Sequence, residues 1–272
     1  MTWLSVIVPA YREGHQVLRA IDSVLAQGSG LQVVVVVRPQ VGDDTVRLVQ
    51  EAYPSCVVLE EPRPTRAAAL NRGAAQAVGK VLLFLHADTV LPPGAFSAIQ
   101  QALASGAVGG GFLIGFPPPK PQVRCLLRLA ERWCNYRSAR WRVFYGDQAM
   151  FLRREVFQEI GGFPELEIME DFALAERLVR YSRARELPLP ALIPLPVEAD
   201  TRRFQDGVWY YWLTIFLVRL GYGLGVPSRY LRYLYVRKRV WYYRLLGLCG
   251  LAPQQVDRLL DRNLQKPITG GE

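Results

Sequence analysis

The sequence has few of the residues that build metal clusters or disulfide frameworks. Its 272 residues include only four cysteines and two histidines, and no two cysteines form a Cys-x-x-Cys pair. Structural zinc sites need closely spaced cysteine and histidine ligands, and small secreted folds need a denser set of cysteines. The sequence therefore argues against a structural zinc site and against a disulfide-stabilised secreted scaffold.

The N-terminus lacks the features of a secretory leader. Its first residues, MTWLSVIVPAYREG, have no basic stretch before the apolar run, and that run is too short for a signal peptide. Together with cysteines that are expected to stay reduced, this predicts a cytoplasmic protein.

Composition excludes global disorder and indicates an anionic partner. Hydrophobic residues make up 50% of the chain and charged residues 21%, which is enough to bury one large core, with room for a small appendage. The net charge is +9, and a basic excess suits a phosphate ligand, an acidic lipid or a nucleic acid. Because the sequence contains no recognisable nucleic-acid-binding module, we expect no nucleic-acid partner.

Short apolar runs alternate with helical patterns in the N-terminal part of the chain. One run contains five consecutive valines, so both faces of that strand should be covered. The alternation predicts an α/β fold with a mostly parallel central sheet and helices on both faces. The predicted strands are Leu4–Val8, Leu31–Val37, Cys56–Leu59 and Val81–Leu85, and the predicted helices are His15–Gln27, Thr45–Ala52 and Arg66–Val78.

The composition changes sharply near residue 205. Residues 207–256 contain no acidic side chain but seven basic and twelve aromatic ones. We therefore predict a domain over residues 1–205 and a basic, aromatic helical extension over 206–272. Basic helices rich in tyrosine and tryptophan are typical of the membrane interface, so a peripheral contact with an anionic inner membrane face is predicted. An ordinary helical cap on the domain is the alternative.

Five motifs in a fixed order carry a resemblance to a known family. They are SVIVPAYRE, RAAALNRGAAQAVGKVLLFLHADT, GDQAMF, GGFPE and MEDFALAERL. In this order they resemble family 2 glycosyltransferases with the Rossmann-like GT-A fold, and most closely a bacterial subgroup with a His-Ala-Asp-Thr metal motif. The resemblance covers residues 4 to about 230. It implies a metal-dependent, inverting transfer of a sugar from a nucleotide-diphosphate donor to a hydroxyl acceptor. If the membrane prediction holds, this acceptor is expected to be lipid-linked.

Asp88 is the candidate metal ligand, with Ala87 beside it at the predicted donor site. A divalent cation neutralises a diphosphate leaving group, and hard cations prefer carboxylate oxygens. The resemblance assigns Mn²⁺ or Mg²⁺ to Asp88, while His86 stands where many relatives have a first acid. Taken alone, Asp88 also fits an ordinary turn.

Asp171 is the candidate general base. Attack at an anomeric carbon requires a group that takes the proton of the acceptor hydroxyl, and the resemblance gives this role to the Asp of the Glu-Asp pair. Glu170 is expected to orient a neighbour on the acceptor side. The pair also fits two acids that stabilise a helix N-terminus.

The donor nucleotide is expected beyond the ends of the strands, where ligands of such sheets bind. The resemblance places Pro9, Tyr11, Glu13, Arg66 and Asn71 near it. Tyr11 offers a ring face to the base, Glu13 can accept hydrogen bonds from the ribose, and Arg66 suits a base or a phosphate.

Arg38 departs from the family pattern. Relatives usually have an Asp here that reads the edge of uracil, and a guanidinium cannot accept a hydrogen bond from a ring N–H. Uridine specificity is therefore not expected to follow from the resemblance, and Arg38 is predicted to contact a phosphate or another base.

Two further segments are assigned to the acceptor side. Gly146, Asp147 and Gln148 resemble the segment that closes over the sugar. Arg202 and Arg203 resemble a later Arg-Arg-aromatic element that suits a diphosphate.

Two other functions stay open at this point. A nucleotidyltransferase on a related scaffold would favour a glycine-rich phosphate loop after the first strand, where PAYREG has one glycine. A non-catalytic nucleotide-sugar or membrane-binding protein is supported by Arg38 and opposed by the intact Asp88 and Asp171.

Overall fold

A computed structural model of the chain describes residues 2–11, 13–40, 42–117, 124–201, 204 and 208–236. The predictions for Arg202, Arg203 and residues 237–272 lie outside this part of the chain. The strands are β1 (Leu4–Ala10), β2 (Leu31–Val37), β3 (Val57–Glu60), β4 (Val81–Phe84), β5 (Thr89–Val90), β6 (Gly109–Gly115), β7 (Met150–Arg153) and β8 (Ala191–Ala199). The helices are α1 (Gln16–Leu25), α2 (Thr45–Ala52), α3 (Arg66–Ala75), α4 (Ala95–Ala104), α5 (Arg124–Trp141), α6 (Arg154–Glu159), α7 (Glu170–Ala184), α8 (Val208–Gly223) and α9 (Ser228–Val236).

The described strands form one mixed sheet in the order β3-β2-β1-β4-β7-β6-β8-β5. The pairs β2–β3, β1–β2, β1–β4 and β6–β8 are parallel, and β7 runs antiparallel to both of its neighbours. Because β1, β2 and β4 are parallel, their carboxyl ends meet at one edge of the sheet. The residues that follow these strands therefore lie at that edge.

Helices cover both faces of the N-terminal half of the sheet, as predicted. Successive strand residues point to opposite faces, and α1 and α4 pack with Val6, Val8 and alternate valines of β2 in one core cluster. Helix α3 lies on the other face, where a Cβ at Gly73 would meet the side chains of Ile7 and Val36. Residues 33–37 are all at most 4% exposed, which explains the uninterrupted run of valines.

The chain divides into two compact units. The first comprises Met1–Glu165 and Glu170–Thr201, and the second comprises Leu166–Met169 and Arg202–Glu272. In the second unit α8 ends in a Schellman-type turn. Gly225 has a φ of +76°, and the N–H of Val226 donates to the carbonyl of Gly221 at 2.9 Å. This turn ends α8 at Gly223, before Pro227.

Among the described residues, we find no helix that is both long enough and apolar enough to cross a membrane.

Candidate functional site

The ends of β1 and β2 bring a tyrosine and an arginine together. The guanidinium carbon of Arg38 lies 5.2 Å from the centre of the Tyr11 ring, and Nε2 of Gln40 donates a 2.7 Å hydrogen bond to the Tyr11 hydroxyl. Glu13 precedes α1 and is half-buried, as is Pro9 in β1. The structure therefore joins two of the residues predicted for the nucleotide, Tyr11 and Arg38, at the predicted edge of the sheet.

Arg66 connects three side chains that are distant in sequence. It occupies the first turn of α3, where the side chain of Thr65 caps the helix by accepting from the N–H of Ala68. Its Nε donates to Oε1 of Glu170 at 2.5 Å, one terminal nitrogen lies 3.1 Å from Nε2 of His86, and the other lies 3.4 Å from Oδ2 of Asp171. The cation thus lies between the first turn of α7 and the turn after β4.

Asp171 is held in a defined orientation in the first turn of α7. Its Oδ1 accepts from the N–H of Phe172 at 2.6 Å, and its Oδ2 accepts from the N–H of Gly146 at 2.7 Å. The residue is 7% exposed. A carboxylate in this position is stabilised by the positive end of the helix dipole.

Glu170 is buried more deeply than Asp171, at 1% exposure. Burial raises the pKa of its carboxyl above the ordinary value because the charged form loses its hydration, and neighbouring Asp171 raises this pKa further. The guanidinium of Arg66 opposes both effects. Buried Glu170 and half-buried Arg66 therefore form a pair in which the charge state of Glu170 depends on the surrounding cluster.

Gly146 closes the site from the side of β7. It begins a single 3₁₀ turn, Gly146–Gln148, that precedes this strand. A Cβ at Gly146 would clash with the ring of His86 and would lie 3.3 Å from Oδ2 of Asp171. Only glycine allows the backbone to lie this close to both side chains.

Asp88 lies in the turn after β4 and is half-buried, next to buried Ala87. The described residues contain no group of three or more His, Cys, Asp or Glu side chains that could hold a metal ion by themselves. One carboxylate nevertheless fits Mg²⁺ or a similar hard cation, because such ions commonly bind through one or two carboxylates together with substrate phosphates and water. The residues present therefore fit a cation that is bound jointly with a diphosphate.

The family model for glycosyl transferase family 2 matches residues 5–161, which is more than half of the chain. This chain belongs to glycosyl transferase family 2. The match includes Tyr11, Arg38, Arg66, Asp88 and Gly146 and ends before the Glu170–Asp171 pair. A search of curated protein sequences finds no significant match.

Solved structures of other glycosyltransferases share this fold. A mannosyltransferase from Pyrobaculum calidifontis, PcManGT, solved with GDP-Man and Mn²⁺, has a TM-score of 0.60 and 20% identity over 97% of this chain and 81% of its own. S. aureus TarS residues 1–349 give a TM-score of 0.55 and 17% identity over 80% of this chain and 65% of theirs. A longer TarS structure gives a TM-score of 0.56 and 15% identity. The match spans 94% of this chain and 50% of the TarS chain.

These comparisons confirm the GT-A fold and the prediction of a family 2 glycosyltransferase. At such low identity, the solved structures support the fold and leave the substrates of this glycosyltransferase to be argued from its own residues.

Gln148 is buried within a network that the sequence did not reveal. Its Oε1 accepts from the guanidinium of Arg137 at 2.9 Å and from the N–H of Tyr145 at 3.1 Å, while its Nε2 donates to the carbonyl of Phe112 at 3.0 Å. The side chain has no exposed surface. Arg137 also stacks on the ring of Tyr145 at 3.8 Å. Asp147, between the two anchored residues of this turn, is half-buried.

Asn71 holds the turn that leads towards α7. Its Nδ2 donates to the carbonyl of Phe163 at 2.9 Å, and its Oδ1 accepts from the N–H of the same residue at 3.0 Å. The predicted contact of Asn71 with the nucleotide stays a prediction, and the structure adds a clamp on the Gly161–Gly162–Phe163 turn.

His86 and Arg137 are the site residues that sequence reasoning did not assign. One feature of the sequence could have indicated a role for His86, namely its place two residues before Asp88. Arg137 had none, because its partners lie 8 and 11 residues further along the chain in a segment without clear periodicity.

Proposed function

We propose that this chain is a metal-dependent, inverting glycosyltransferase that moves a sugar from a nucleoside-diphosphate donor to a hydroxyl acceptor. The observation that carries this proposal is the cluster around Asp171. Its carboxylate accepts from the N–H of Gly146 and from Arg66, and Arg66 also contacts His86, two residues before Asp88. A candidate base thus belongs to the same cluster as the turn that carries the candidate metal ligand.

Asp171 is the group we assign to proton transfer. A carboxylate offers about four acceptor positions, and three donors engage this one: Phe172 N–H, Gly146 N–H and Arg66. Counted over the described residues, one position on Oδ1 is left for the hydroxyl of an acceptor. The fixed hydrogen bonds orient this oxygen before the acceptor arrives, which lowers the cost of reaching the reactive geometry.

Asp88 is the residue we assign to the cation, Mn²⁺ or Mg²⁺. When bound, the cation would neutralise charge on the departing diphosphate. Arg66 supplies a fixed positive charge beside His86. Membership of the subgroup with the His-Ala-Asp-Thr motif is part of this proposal.

Arg38 and Tyr11 favour a purine donor over uridine. A guanidinium donates two hydrogen bonds to the O6 and N7 acceptors of guanine, whereas it cannot accept from the N3–H of uracil. We propose that the base stacks against the Tyr11 ring, which the Arg38 guanidinium approaches to 5.2 Å. A donor of the GDP type, such as the one in the P. calidifontis mannosyltransferase structure, is therefore the first to test.

The acceptor side is assigned to Gly146, Asp147 and Glu170, with Gln148 as the residue that positions the turn through its buried hydrogen bonds. We propose that Asp147 contacts sugar hydroxyls and that Arg202 and Arg203 contact the diphosphate. The division into residues 1–205 and 206–272, a peripheral membrane contact of the second part and a lipid-linked acceptor complete the proposal.

A thermal-shift panel of UDP-, GDP-, dTDP- and CDP-sugars, each with and without Mn²⁺, tests the donor. A ligand that binds only the folded state at 100 times its Kd raises stability by about 2.7 kcal/mol. We expect the largest shift with a GDP-sugar, only when Mn²⁺ is present, and none with Asp88→Asn. A larger shift with UDP-sugars would contradict the role given to Arg38.

The products distinguish this function from its two rivals. A glycosyltransferase releases a nucleoside diphosphate, a nucleotidyltransferase releases or consumes pyrophosphate, and a non-catalytic binding protein turns over neither. Chromatography of the nucleotides after incubation with donor and acceptor extract separates the three.

A further inference from the structure

One side of helix α5 packs against the rest of the first unit. Leu127, Ala130 and Ser138 on that side are buried. The amide of Asn135 donates to the carbonyl of Ile114 in β6 and accepts from its N–H, both at 2.9 Å. The helix is therefore held in place by packing and by two hydrogen bonds, and its opposite side faces outward.

Large apolar and aromatic side chains are exposed on this opposite side. Leu129, Trp133 and Tyr136 follow one another at helical spacings of four and three, and they are 50%, 54% and 57% exposed. Trp141, 48% exposed, extends the row at its end, with its ring centre 6.4 Å from that of Tyr136. Contiguous apolar side chains exposed on a protein surface usually mark an interaction site.

Arginines flank this aromatic row. Four of them on α5 are exposed: Arg124, Arg128, Arg132 and Arg140. The one acid of the helix, Glu131, is half-buried and accepts from the N–H of Phe116 at 3.4 Å. The outward side of α5 thus combines positive charge with tryptophan, tyrosine and leucine, and it carries no exposed carboxylate of its own helix.

We propose that this outward side of α5 docks on the headgroup layer of an anionic lipid membrane. Tryptophan and tyrosine favour the membrane–water interface, and arginine reaches lipid phosphates while its stem stays in apolar surroundings. An anionic surface complements the four arginines, each of which adds about fivefold to the partition constant. A single-stranded nucleic acid fits less well, because such ligands bind in positively charged grooves and this surface is one side of a convex helix.

The proposed surface is connected to the candidate active site. Arg137 of the same helix donates to Gln148, which anchors the turn beginning at Gly146. Docking through α5 would bring the acceptor-side turn close to the lipid surface. The proposal is independent of the chemistry assigned to Asp171 and of the C-terminal extension, since it depends only on residues of α5.

Co-sedimentation of the full chain with vesicles tests it. We expect binding to vesicles of phosphatidylcholine mixed with phosphatidylglycerol, loss of binding at high salt, and little binding to phosphatidylcholine alone. The variant Arg128→Gln with Arg132→Gln should weaken binding about 25-fold, at about fivefold per arginine. Trp133→Ser with Tyr136→Ser should weaken it by at least about tenfold, because apolar area no longer enters the interface.

The matched control removes two exposed arginines from another helix of the same unit. Arg180→Gln with Arg183→Gln in α7 carries the same charge change outside α5, and it should bind within about twofold of the native chain. Three results would each overturn the proposal. They are native-like binding by both α5 variants, binding to neutral but not to anionic vesicles, and binding to a single-stranded oligonucleotide but not to vesicles. Unchanged thermal midpoints of the α5 variants exclude misfolding as the cause of lost binding. Donor-dependent thermal shifts in the same variants should stay native, which separates this result from a failure of the proposed function.

Discussion

The backbone N–H of Gly146 donates a 2.7 Å hydrogen bond to Oδ2 of Asp171, 25 residues further along the chain. This bond joins the turn before β7 to the first turn of α7. The same glycine lies against the ring of His86, so that an added Cβ would clash there. The absence of a side chain at residue 146 is therefore what allows the candidate base and the turn after β4 to come together.

We predict that Gly146→Ala lowers turnover about 10²-fold, because a displacement of about 1 Å of a reacting group can cost that much. The added methyl group must push His86 or Asp171 away. The Gly223→Ala variant in α8 is the control, since its Cβ would make only an ordinary contact of 3.6 Å with Arg219. Steady-state kinetics measure the turnover of both variants. Native turnover in Gly146→Ala would show that this close approach has no catalytic role.

Asp171→Asn is expected to reduce kcat by about 10²–10⁴-fold, the usual contribution of general acid–base catalysis. The amide keeps the shape of the side chain but cannot take the proton of the acceptor. The affinity for the donor should change little, since the assigned partner of Asp171 is the acceptor. Glu155→Gln is a suitable control because Glu155 is also a first-turn acid, in α6, and is exposed. Equal kcat values in the two variants would rule out the assigned role.

The sequence predicted the N-terminal half of the fold well for a physical reason. Apolar runs that are buried on both faces, such as the valines of β2, have few alternatives to a central parallel strand. The helices that follow have regular spacing and clear stops. The pattern of apolar residues is less regular in residues 105–165. The parallel pairing of β6 with β8 joins segments about 80 residues apart, which no local sequence pattern connects.

The sequence proposes residues for the candidate site but does not predict their contacts. Asp88 and Asp171 could be found because each follows a recognisable local motif. The role of Arg66 as the link between Glu170, His86 and Asp171 arises only when α3 and α7 are packed together. Asn71 bonds to the backbone of Phe163, and Gln148 bonds to the backbone of Tyr145 and Phe112 as well as to side chains. Backbone partners leave no signal in the sequence.

Asp88→Asn should abolish metal-dependent donor binding while leaving the fold intact. Because the described residues hold no group of three ligands, we also expect Mn²⁺ without nucleotide to bind the native protein only weakly. Calorimetry with Mn²⁺ alone, nucleotide alone and both together measures this coupling. The assignment would be wrong if the variant bound nucleotide and Mn²⁺ together as tightly as the native chain.

Asn71→Ala should lower the free energy of unfolding by about 2–3 kcal/mol. The change removes two hydrogen bonds to Phe163, each worth about 1 kcal/mol, and leaves their backbone partners unsatisfied. Arg72→Ala, an exposed change on the same helix, should stay within about 0.5 kcal/mol of the native value. Urea unfolding of both variants measures the difference. A stable Asn71→Ala protein with weakened donor binding would instead favour the predicted contact with the nucleotide.

Glu170→Gln should change how stability depends on pH. Burial raises the pKa of Glu170 in the folded chain above its ordinary value of 4.5, so the folded state holds this proton more tightly than the unfolded state does. Between the two values the unfolded chain binds fewer protons, and the free energy of unfolding of the native protein must then fall as the pH rises.

Glutamine cannot ionise, so the variant loses this component of the pH dependence. The stability of the native protein relative to Glu170→Gln should therefore be highest below pH 4.5, the ordinary pKa, and should decline as the pH rises through the raised pKa of the folded state. Urea unfolding of both proteins from about pH 4 to about pH 7 measures this difference directly. The opposite slope would mean that the ion pair with Arg66 outweighs burial and lowers the pKa of Glu170. In that case the native protein would gain stability over the variant as its carboxylate becomes charged, and Arg66 would hold a permanently ionised Glu170 beside the candidate base.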